Sequence, residues 1–199
     1  MRSSRRIGII HALEASPGMD GQLLMPPPIT YQALDGFPQV KPGDDLAALV
    51  QASLAANGLT LQPGDIVACA QKIISKAEGR YARLDEVEPG PEAVDWADRT
   101  GKDPRLVQVT LDEANYVLRY RPNLLVVEHN LGMVMANAGI DQSNIDGAGE
   151  QVLLLPEDPD RSAESLADGL EALTGVRPAI LITDSAVSYT HLRAHETGY

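Results

Sequence analysis

The chain has 199 residues and a formal net charge of −12, and its pI is near 4.6. A surface with this much negative charge repels the phosphate backbone of nucleic acid, so a DNA or RNA partner is disfavoured. No apolar run has the length of a signal peptide or membrane helix, so we predict a cytoplasmic protein with no membrane partner. The single cysteine, Cys69, lies in an apolar run and is interpreted as a buried structural thiol.

Periodicity and turn residues predict helices and strands after an irregular N-terminal extension, residues 1–34. Three consecutive prolines at 26–28 favour an extended arm there. A first helix is expected after the cap Asp44 and ends at Asn57-Gly58. Further helices are predicted around Trp96, from Asp103-Pro104, and from Asp158-Pro159 to Gly175, and strands at 66–70, 124–127, 133–135 and 180–182. This interspersed pattern predicts a mixed α and β class.

Residues 35–185 are expected to form one partial domain, and residues 186–199 have a different character. This C-terminal stretch shows neither strand alternation nor an apolar helical stripe, and we interpret it as a non-native tail. It contains His191 and His195 at the i, i+4 spacing of a helical metal site, but no third ligand is evident in the sequence. We therefore assign these histidines no function.

Two segments carry side chains that suit a nucleotide. The sequence has no Walker A loop or Rossmann fingerprint, so a nucleotide would be held in another way. In 71–80, Lys72, Ser75 and Lys76 follow a predicted buried strand, and ammonium and hydroxyl groups can bind phosphate oxygens. In 136–144, small residues allow close approach of a ligand. Solvated lysines and a plain polar turn remain the alternatives.

Hard oxygen ligands occur in the second of these segments and in a third. Asp141 and Asn144 supply a carboxylate and an amide, and the carboxylate suits Mg²⁺ or Mn²⁺. Asp184 and Ser185 follow the predicted strand 180–182, and ligand sites in α/β proteins favour the carboxyl ends of strands. A helix cap or turn is the alternative for this third segment.

Taken in order, these segments resemble the coenzyme F420:L-glutamate ligase family from about Gly36 to Ser185. The resemblance implies an α+β fold, with a mixed sheet and flanking helices, that is incomplete at its C-terminus. The family's Gly-, Arg- and Trp-containing segment after the Asp-Ser step is not found here. The segments that carry the resemblance are Gly36-Phe37-Pro38, Gly43-Asp44-Asp45-Leu46, Ser75-Lys76-Ala77-Glu78-Gly79-Arg80, Ala136 to Asn144, Leu155-Pro156-Glu157-Asp158-Pro159 and Ile182-Thr183-Asp184-Ser185.

The resemblance also implies an activity. Members of the family add L-glutamate to the coenzyme F420 precursor through γ-linked amide bonds, with consumption of GTP and, by implication, an acyl phosphate intermediate. The implied cofactors are Mg²⁺ or Mn²⁺, with K⁺ as a further cation. The implied partners are the F420 precursor, L-glutamate, GTP and a second copy of the chain in a homodimer. The alternatives are a non-catalytic nucleotide- or metal-binding fragment and an amide ligase for a different carboxylate.

Site residues follow from the resemblance position by position. Lys76 matches a phosphate-binding lysine, and Lys76 and Asp141 are the candidate catalytic residues. Gln71 stands where the family commonly has a nucleotide-contacting Ser or Thr, so it is a candidate nucleotide contact that departs from the family's residue type. The remaining matches are Phe37, Pro38, Gln39 and Val40 for the first guanine-nucleotide segment, Asn144 for a nucleotide contact, and Asp141, Asp184 and Ser185 for divalent-metal ligands. Asp141 and Asp184 are therefore expected to converge around cations.

Overall fold

A computed structural model describes residues 7–12, 29–142 and 150–184. These residues form an α+β fold that divides into two compact units. Of the described residues, 7–12, 29–39, 45–74 and 160–184 belong to the sheet unit, and 40–44, 75–142 and 150–159 belong to the insert unit. The elements are, in chain order, β1 (Ile7–Ala12), β2 (Ile29–Ala33), α1 (Leu46–Ala56), β3 (Ile66–Ala70), α2 (Gln71–Ala77), β4 (Tyr81–Arg83), α3 (Pro91–Thr100), α4 (Pro104–Asp112), β5 (Ala114–Arg121), β6 (Leu124–His129), β7 (Val134–Ala136), β8 (Gln151–Leu153), α5 (Pro159–Thr174) and β9 (Ala179–Thr183).

A four-stranded sheet in the order β2-β1-β3-β9 forms the sheet unit. β1 is antiparallel to both its neighbours, whereas β3 and β9 are parallel, so the predicted mixed sheet is confirmed. Ile7 and Ile9 of β1 pair with Cys69 and Val67 of β3, and all four side chains are buried. The intervening Gly8 and Ala68, which pair with each other, are buried as well, so burial does not alternate along this part of the sheet.

Two sequence predictions for this unit are wrong. Residues 1–34 are not irregular throughout, because β1 and β2 lie within that range and pair with each other. The apolar run of β1 was too short to be recognised as a strand. The strand β3, with which β1 pairs, lies far along the chain. The N-cap of α1 is Asp45, whose carboxylate accepts the Ala48 N–H, rather than Asp44. Asp44 instead accepts the N–H of Lys41 in the preceding turn.

Helices α1 and α5 pack closely within the sheet unit. A Cβ built on Gly169 of α5 would lie 2.7 Å from the Cβ of Ala47 in α1, so only glycine fits at this crossing. The side chain of Gln51 also donates to the carbonyl of Leu173. The buried apolar residues of the two helices are Ala47, Val50 and Leu54 in α1 and Leu166, Ala167 and Leu170 in α5.

The insert unit contains two smaller sheets, β4-β8 and β5-β6-β7, together with α3 and α4. One core cluster joins α3, α4 and β6 through Ala93, Ala97, Val107, Leu125, Val127 and Ala138. A second cluster brings Leu84, Leu106, Val109, Val152 and Leu154 together around β8. In the described part of the chain, no helix is long and apolar enough to cross a membrane.

The predicted strands 124–127, 133–135 and 180–182 correspond to β6, β7 and β9. Strand β5 was not predicted from the sequence. Two irregularities interrupt the register of β5 with β6, between Ala114 and Tyr116 and between Val117 and Arg119. Each adds a residue that shifts the inward and outward alternation, so the period of two is lost. The exposed Tyr116, Leu118 and Tyr120 further hide the pattern of a half-buried strand.

Candidate nucleotide and metal site

At the carboxyl end of the parallel pair β3 and β9, the sheet unit brings two predicted site residues together. Ala70 pairs with Thr183, so Gln71 and Asp184 each directly follow a paired residue on neighbouring strands. Neighbouring strands lie about 4.8 Å apart, so the two backbones leave the sheet side by side. The Thr183 hydroxyl lies 3.4 Å from the Cys69 carbonyl oxygen, which it faces as a donor. Gln71 is buried and Asp184 is exposed.

The predicted guanine segment starts in the sheet unit, where Phe37 is buried and Pro38 and Gln39 are exposed. Its entry is fixed by the turn at Asp35 and Gly36, where Gly36 has φ of 70°. The side chain of Asn57, the C-cap of α1, accepts the Asp35 N–H and donates to the Asp35 carbonyl. Val40, which is buried, belongs to the insert unit.

Lys76 lies in the last turn of α2, which is a helix where the sequence predicted only a short segment. The helix ends in a Schellman motif: the Gly79 N–H donates to the Lys76 carbonyl and the Arg80 N–H to the Ser75 carbonyl. Gly79 has φ of 69°, which explains the glycine in this motif. A cation near a helix C-terminus is also favoured by the helix dipole, so the position of Lys76 has a structural reason as well.

Asp141 lies beside β8 in the insert unit. Its N–H donates to the Leu153 carbonyl and its carbonyl accepts the Leu153 N–H, both at 2.9 Å. Leu153 also pairs with Tyr81 of β4, so Asp141 and Tyr81 lie on opposite sides of the same residue. The Oδ2 atom of Asp141 is buried. The unit therefore holds this carboxylate near the segment that follows Lys76.

A left-handed turn at residues 137–139 lies one residue before Asp141. Asn137, Ala138 and Gly139 have φ of 48°, 52° and 66° in succession. This conformation costs a non-glycine residue about 1–2 kcal/mol, so surrounding contacts must maintain it. The Asn137 Oδ1 accepts the Leu125 N–H at 3.0 Å, and Ala138 is fully buried. Backbone strain of this kind concentrates at functional sites.

Sequence reasoning missed a cluster of three charged or titratable side chains in the insert unit. Arg80 donates through Nη2 to Glu113 Oε2 at 2.8 Å. His129 Nε2 lies 3.5 Å from the same oxygen, which is longer than an ordinary hydrogen bond. Glu113 and His129 are adjacent because the next residue, Ala114, pairs with His129 between β5 and β6. Only Arg80 lies in a motif that the sequence singled out.

The protonation of His129 follows from its contacts. Nδ1 accepts the Leu131 N–H at 3.0 Å, so this nitrogen is unprotonated and Nε2 carries the hydrogen. Burial lowers the pKa of His129, the nearby Glu113 carboxylate opposes this shift, and the Arg80 guanidinium reinforces it. The neutral form is therefore the native one at neutral pH.

The predicted metal ligands are distributed over both units. Asp141 belongs to the insert unit and Asp184 to the sheet unit, so their convergence stays a prediction. Asn144 and Ser185 lie outside the described residues. Across 7–12, 29–142 and 150–184, no three His, Cys, Asp or Glu side chains form a group that could hold a metal. The donors that are present are carboxylate oxygens, one of them buried at Asp141, and such oxygens fit Mg²⁺ or Mn²⁺.

The fold and these positions define an α+β protein with candidate ligand-binding side chains after strand β9, at the end of helix α2 and beside strand β8. The chain belongs to the F420-0:gamma-glutamyl ligase family, whose model it matches over residues 36–197. The resemblance stated from the six segments is thereby confirmed. The match includes most of 186–199, which we predicted to be a non-native tail, and those residues lie outside the described part of the chain.

Three relatives illustrate the similarity, and each is called a coenzyme F420:L-glutamate ligase. The protein of Methanopyrus kandleri is 48% identical over 74% of this chain and 56% of its own length. That of Methanothermobacter thermautotrophicus is 43% identical over 79% of this chain and 62% of its own length. That of Haloarcula marismortui is 42% identical over 77% of this chain and 59% of its own length. The chain thus spans less than two thirds of each of these relatives.

Proposed function

We propose that the chain is the larger part of a GTP-dependent ligase that adds L-glutamate to the coenzyme F420 precursor through γ-linked amide bonds. The observation that supports this proposal is the family match over residues 36–197, with relatives named for joining L-glutamate to coenzyme F420. The acidic net charge of −12 disfavours nucleic acid as a partner.

The chemistry requires an activated carboxylate, because oxide is a very poor leaving group. In the proposed route, a carboxylate oxygen of the precursor attacks the γ-phosphorus of GTP, and the bond to the β,γ-bridging oxygen breaks to release GDP. The glutamate amine then attacks the carbonyl carbon of the acyl phosphate. The carbon–oxygen bond to phosphate breaks, inorganic phosphate leaves, and the amine loses a proton to water. Positioning and charge neutralisation carry most of such catalysis.

Each predicted site residue has a role in this proposal. Lys76 would bind phosphate oxygens, and Asp141, Asp184 and Ser185 would hold a divalent cation. A bound Mg²⁺ or Mn²⁺ would supply positive charge beside the triphosphate. Residues 37–40 would contact the guanine nucleotide, with Gln71 and Asn144 as further contacts. K⁺ would be an additional cation.

The proposal also extends to assembly and location. We infer a homodimer, as the family resemblance implied, and a cytoplasmic enzyme, as predicted from the short apolar runs of the sequence. Residues 35–185 would form the ligase part of the chain, and the family match continues beyond them to residue 197. Strands β1 and β2 show that ordered structure of the sheet unit begins before residue 35.

The test is GDP release by this chain in the presence of GTP, Mn²⁺, the F420 precursor and L-glutamate. We expect release that depends on both the precursor and glutamate, together with a product one glutamate heavier. Asp141→Asn should abolish turnover and leave the melting temperature close to that of the parent, because its backbone bonds to Leu153 do not involve the carboxylate. Asp98→Asn, at an exposed site on α3, is the matched control.

The alternatives give different results in the same assay. A non-catalytic fragment would bind GTP and Mn²⁺ without releasing GDP, and it is compatible with the coverage of 56–62% of the first two relatives. A ligase for another acceptor would release GDP only when a different carboxylate replaces the precursor. Full turnover by Asp141→Asn would exclude the proposed role of this carboxylate.

A further inference from the structure

Arg80 connects three separate segments of the insert unit. Its Nε donates to the Leu155 carbonyl at 2.9 Å, and its Nη2 donates to Glu113 Oε2 at 2.8 Å. Its own backbone carbonyl accepts the Leu154 N–H at 2.9 Å. Its backbone N–H closes the Schellman motif at the end of α2. One residue therefore joins the helix that carries Lys76 to the segment 153–155.

The segment 153–155 is also what holds Asp141. Leu153 exchanges both backbone hydrogen bonds with Asp141, and the next residue, Leu154, donates to Arg80. The methyl groups of Leu155 would lie 3.2 Å from a Cβ on Gly139, two residues before Asp141. The path from Lys76 to Asp141 thus runs through Arg80 and this segment, by contacts that all lie within one compact unit.

The chemistry of the contacts requires arginine in particular. The planar guanidinium donates from Nε and from Nη2 in fixed directions, and here these donors reach a carbonyl and a carboxylate at the same time. A lysine ammonium is a compact charge on a flexible stem, and it cannot hold both acceptors in that geometry. The Arg80 and Glu113 side chains are only 25% and 16% exposed, so solvent screens their pairing less than a surface ion pair.

Glu113 is itself held in place by a further set of contacts. Its backbone carbonyl accepts the Asn130 N–H, and the side chain of Asn130 donates to the Asp112 carbonyl. His129, with a side chain only 3% exposed, also lies against the Glu113 carboxylate, with Nε2 3.5 Å from Oε2. The end of α4 and the end of β6 thereby fix the carboxylate that orients Arg80.

We propose that Arg80 is a positioning residue that sets Asp141 relative to Lys76, with Glu113 orienting its guanidinium. This inference rests on the proposed function, in which Asp141 holds a cation and Lys76 binds phosphate. Arg80 would act through the backbone segments of Ser75, Leu154 and Leu155, to which it is hydrogen-bonded. Groups that orient metal ligands commonly change metal affinity about 10- to 100-fold when they are replaced.

The test compares Mn²⁺·GTP binding by the full chain and four variants, measured by titration calorimetry. Arg80→Lys should weaken binding about 10-fold or more, because the fork to Leu155 and Glu113 is lost. Glu113→Ala should weaken it to a similar extent, whereas Glu113→Gln keeps an acceptor oxygen and should recover part of the loss. Arg83→Lys, in the neighbouring β4 with an exposed ion pair to Asp85, is the matched control and should bind as the parent does.

A second readout does not depend on binding. Amide hydrogen exchange at Asp141 and Leu153 should be faster in Arg80→Lys than in Arg83→Lys, while the amides paired between β5 and β6 keep their protection. A general loss of stability would accelerate exchange at both places and would contradict a positioning role. Equal Mn²⁺·GTP affinity in Arg80→Lys and Arg83→Lys would overturn the inference.

The two proposals fail in different ways. If the parent chain binds neither Mn²⁺ nor GTP, the proposed function fails, and the exchange rates at Asp141 and Leu153 then decide the inference alone. Unchanged exchange in Arg80→Lys would refute it in that case. If the parent binds Mn²⁺·GTP and Arg80→Lys binds equally well, the proposed function survives and Arg80 has no part in positioning.

Discussion

The two units use different means to hold their chain segments in place. The sheet unit relies on apolar burial, with Ile9, Val67 and Leu170 completely or almost completely buried. Among its described residues, one carboxylate is buried: that of Asp65, which accepts the Gln62 N–H and makes a 2.7 Å hydrogen bond with His11 Nδ1. The insert unit divides its apolar residues between two small clusters and adds a polar cluster, Arg80, Glu113 and His129.

This difference has a consequence for function. Apolar packing tolerates changes of similar volume, whereas a network of hydrogen bonds to charged groups fixes directions and fails when one partner is removed. The strained turn at 137–139 and the Arg80 contacts both lie in the insert unit, next to Asp141. The insert unit is therefore where we expect small substitutions to change ligand binding more than they change stability.

The largest expected effect comes from truncating one fully buried leucine in each unit. Leu170→Ala in the sheet unit and Leu125→Ala in the insert unit should each cost about 2–5 kcal/mol of unfolding free energy. Cys69, the single cysteine, reports opening of the sheet unit through its reactivity. Burial raises the pKa of its thiol to about 12, so the reactive thiolate is scarce until the unit opens. Leu170→Ala should accelerate thiol labelling more than Leu125→Ala does, measured with a chromogenic disulfide reagent at pH 8.

Matched labelling rates would contradict this expectation. If both variants expose Cys69 equally at the same loss of stability, the two units open in one cooperative step. The control is Cys69→Ala, which should show no labelling and identifies any reagent consumption that does not involve this thiol. Labelling of the parent chain in strong denaturant gives the rate for the fully exposed thiol.

The next effect concerns the left-handed turn in the insert unit. Asn137→Ala removes the acceptor for the Leu125 N–H. It also puts alanine at a position with φ of 48°, a conformation that alanine adopts less readily than asparagine. We expect a loss of about 1–3 kcal/mol, measured as a lower urea midpoint at an unchanged m-value. Asn137→Asp keeps an acceptor oxygen and should recover most of the loss. Equal midpoints for Asn137→Ala and the parent would show that the side chain does not maintain the turn.

A smaller effect is expected where α1 and α5 cross. Gly169→Ala places a methyl group 2.7 Å from the Cβ of Ala47, and overpacking of this kind costs about 1–3 kcal/mol. The higher helix propensity of alanine offsets about 1 kcal/mol of this, so a net loss of about 1 kcal/mol remains. Adding Ala47→Gly removes the opposing methyl group, and a double-mutant cycle by thermal denaturation should show favourable coupling. Strict additivity would mean that the helices shift apart at no cost.

Much of the sheet unit could be predicted from local sequence patterns. The apolar spacing of α1 and α5 and the runs of β3 and β9 agree with the predicted elements, and Asp184 follows β9 as expected. β1 could not be assigned, because its place between β2 and β3 depends on pairing with residues about 60 positions away. The strand order likewise depends on contacts that a period of two or 3.6 does not encode.

The candidate site divides in the same way. Motif reasoning selected Lys76, Asp141 and Asp184 because their chemistry is visible in the residue types. It did not select Glu113 and His129, because these residues stand out only through their contacts in the folded chain. Glu113, for example, lies 33 residues from its partner Arg80 in the sequence. In the sequence, the left-handed turn was visible only as a run of small residues. Its positive φ angles were seen only in the structure.

The smallest effect tests the polar cluster of the insert unit through pH. Burial first, and the Arg80 guanidinium after it, lower the pKa of His129 from an ordinary value of 6.5, so the unfolded chain binds more protons than the native one below that pH. The contribution of neutral His129 to the unfolding free energy is thus fully present above pH 6.5. It is lost as the pH falls toward the lowered pKa of His129, with a slope of at most about 1.4 kcal/mol per pH unit. Urea unfolding at pH 7.5 and 5.5 should show a smaller pH difference for His129→Gln than for the parent. An identical pH dependence in the parent and His129→Gln would show that His129 does not contribute to the loss of stability in acid.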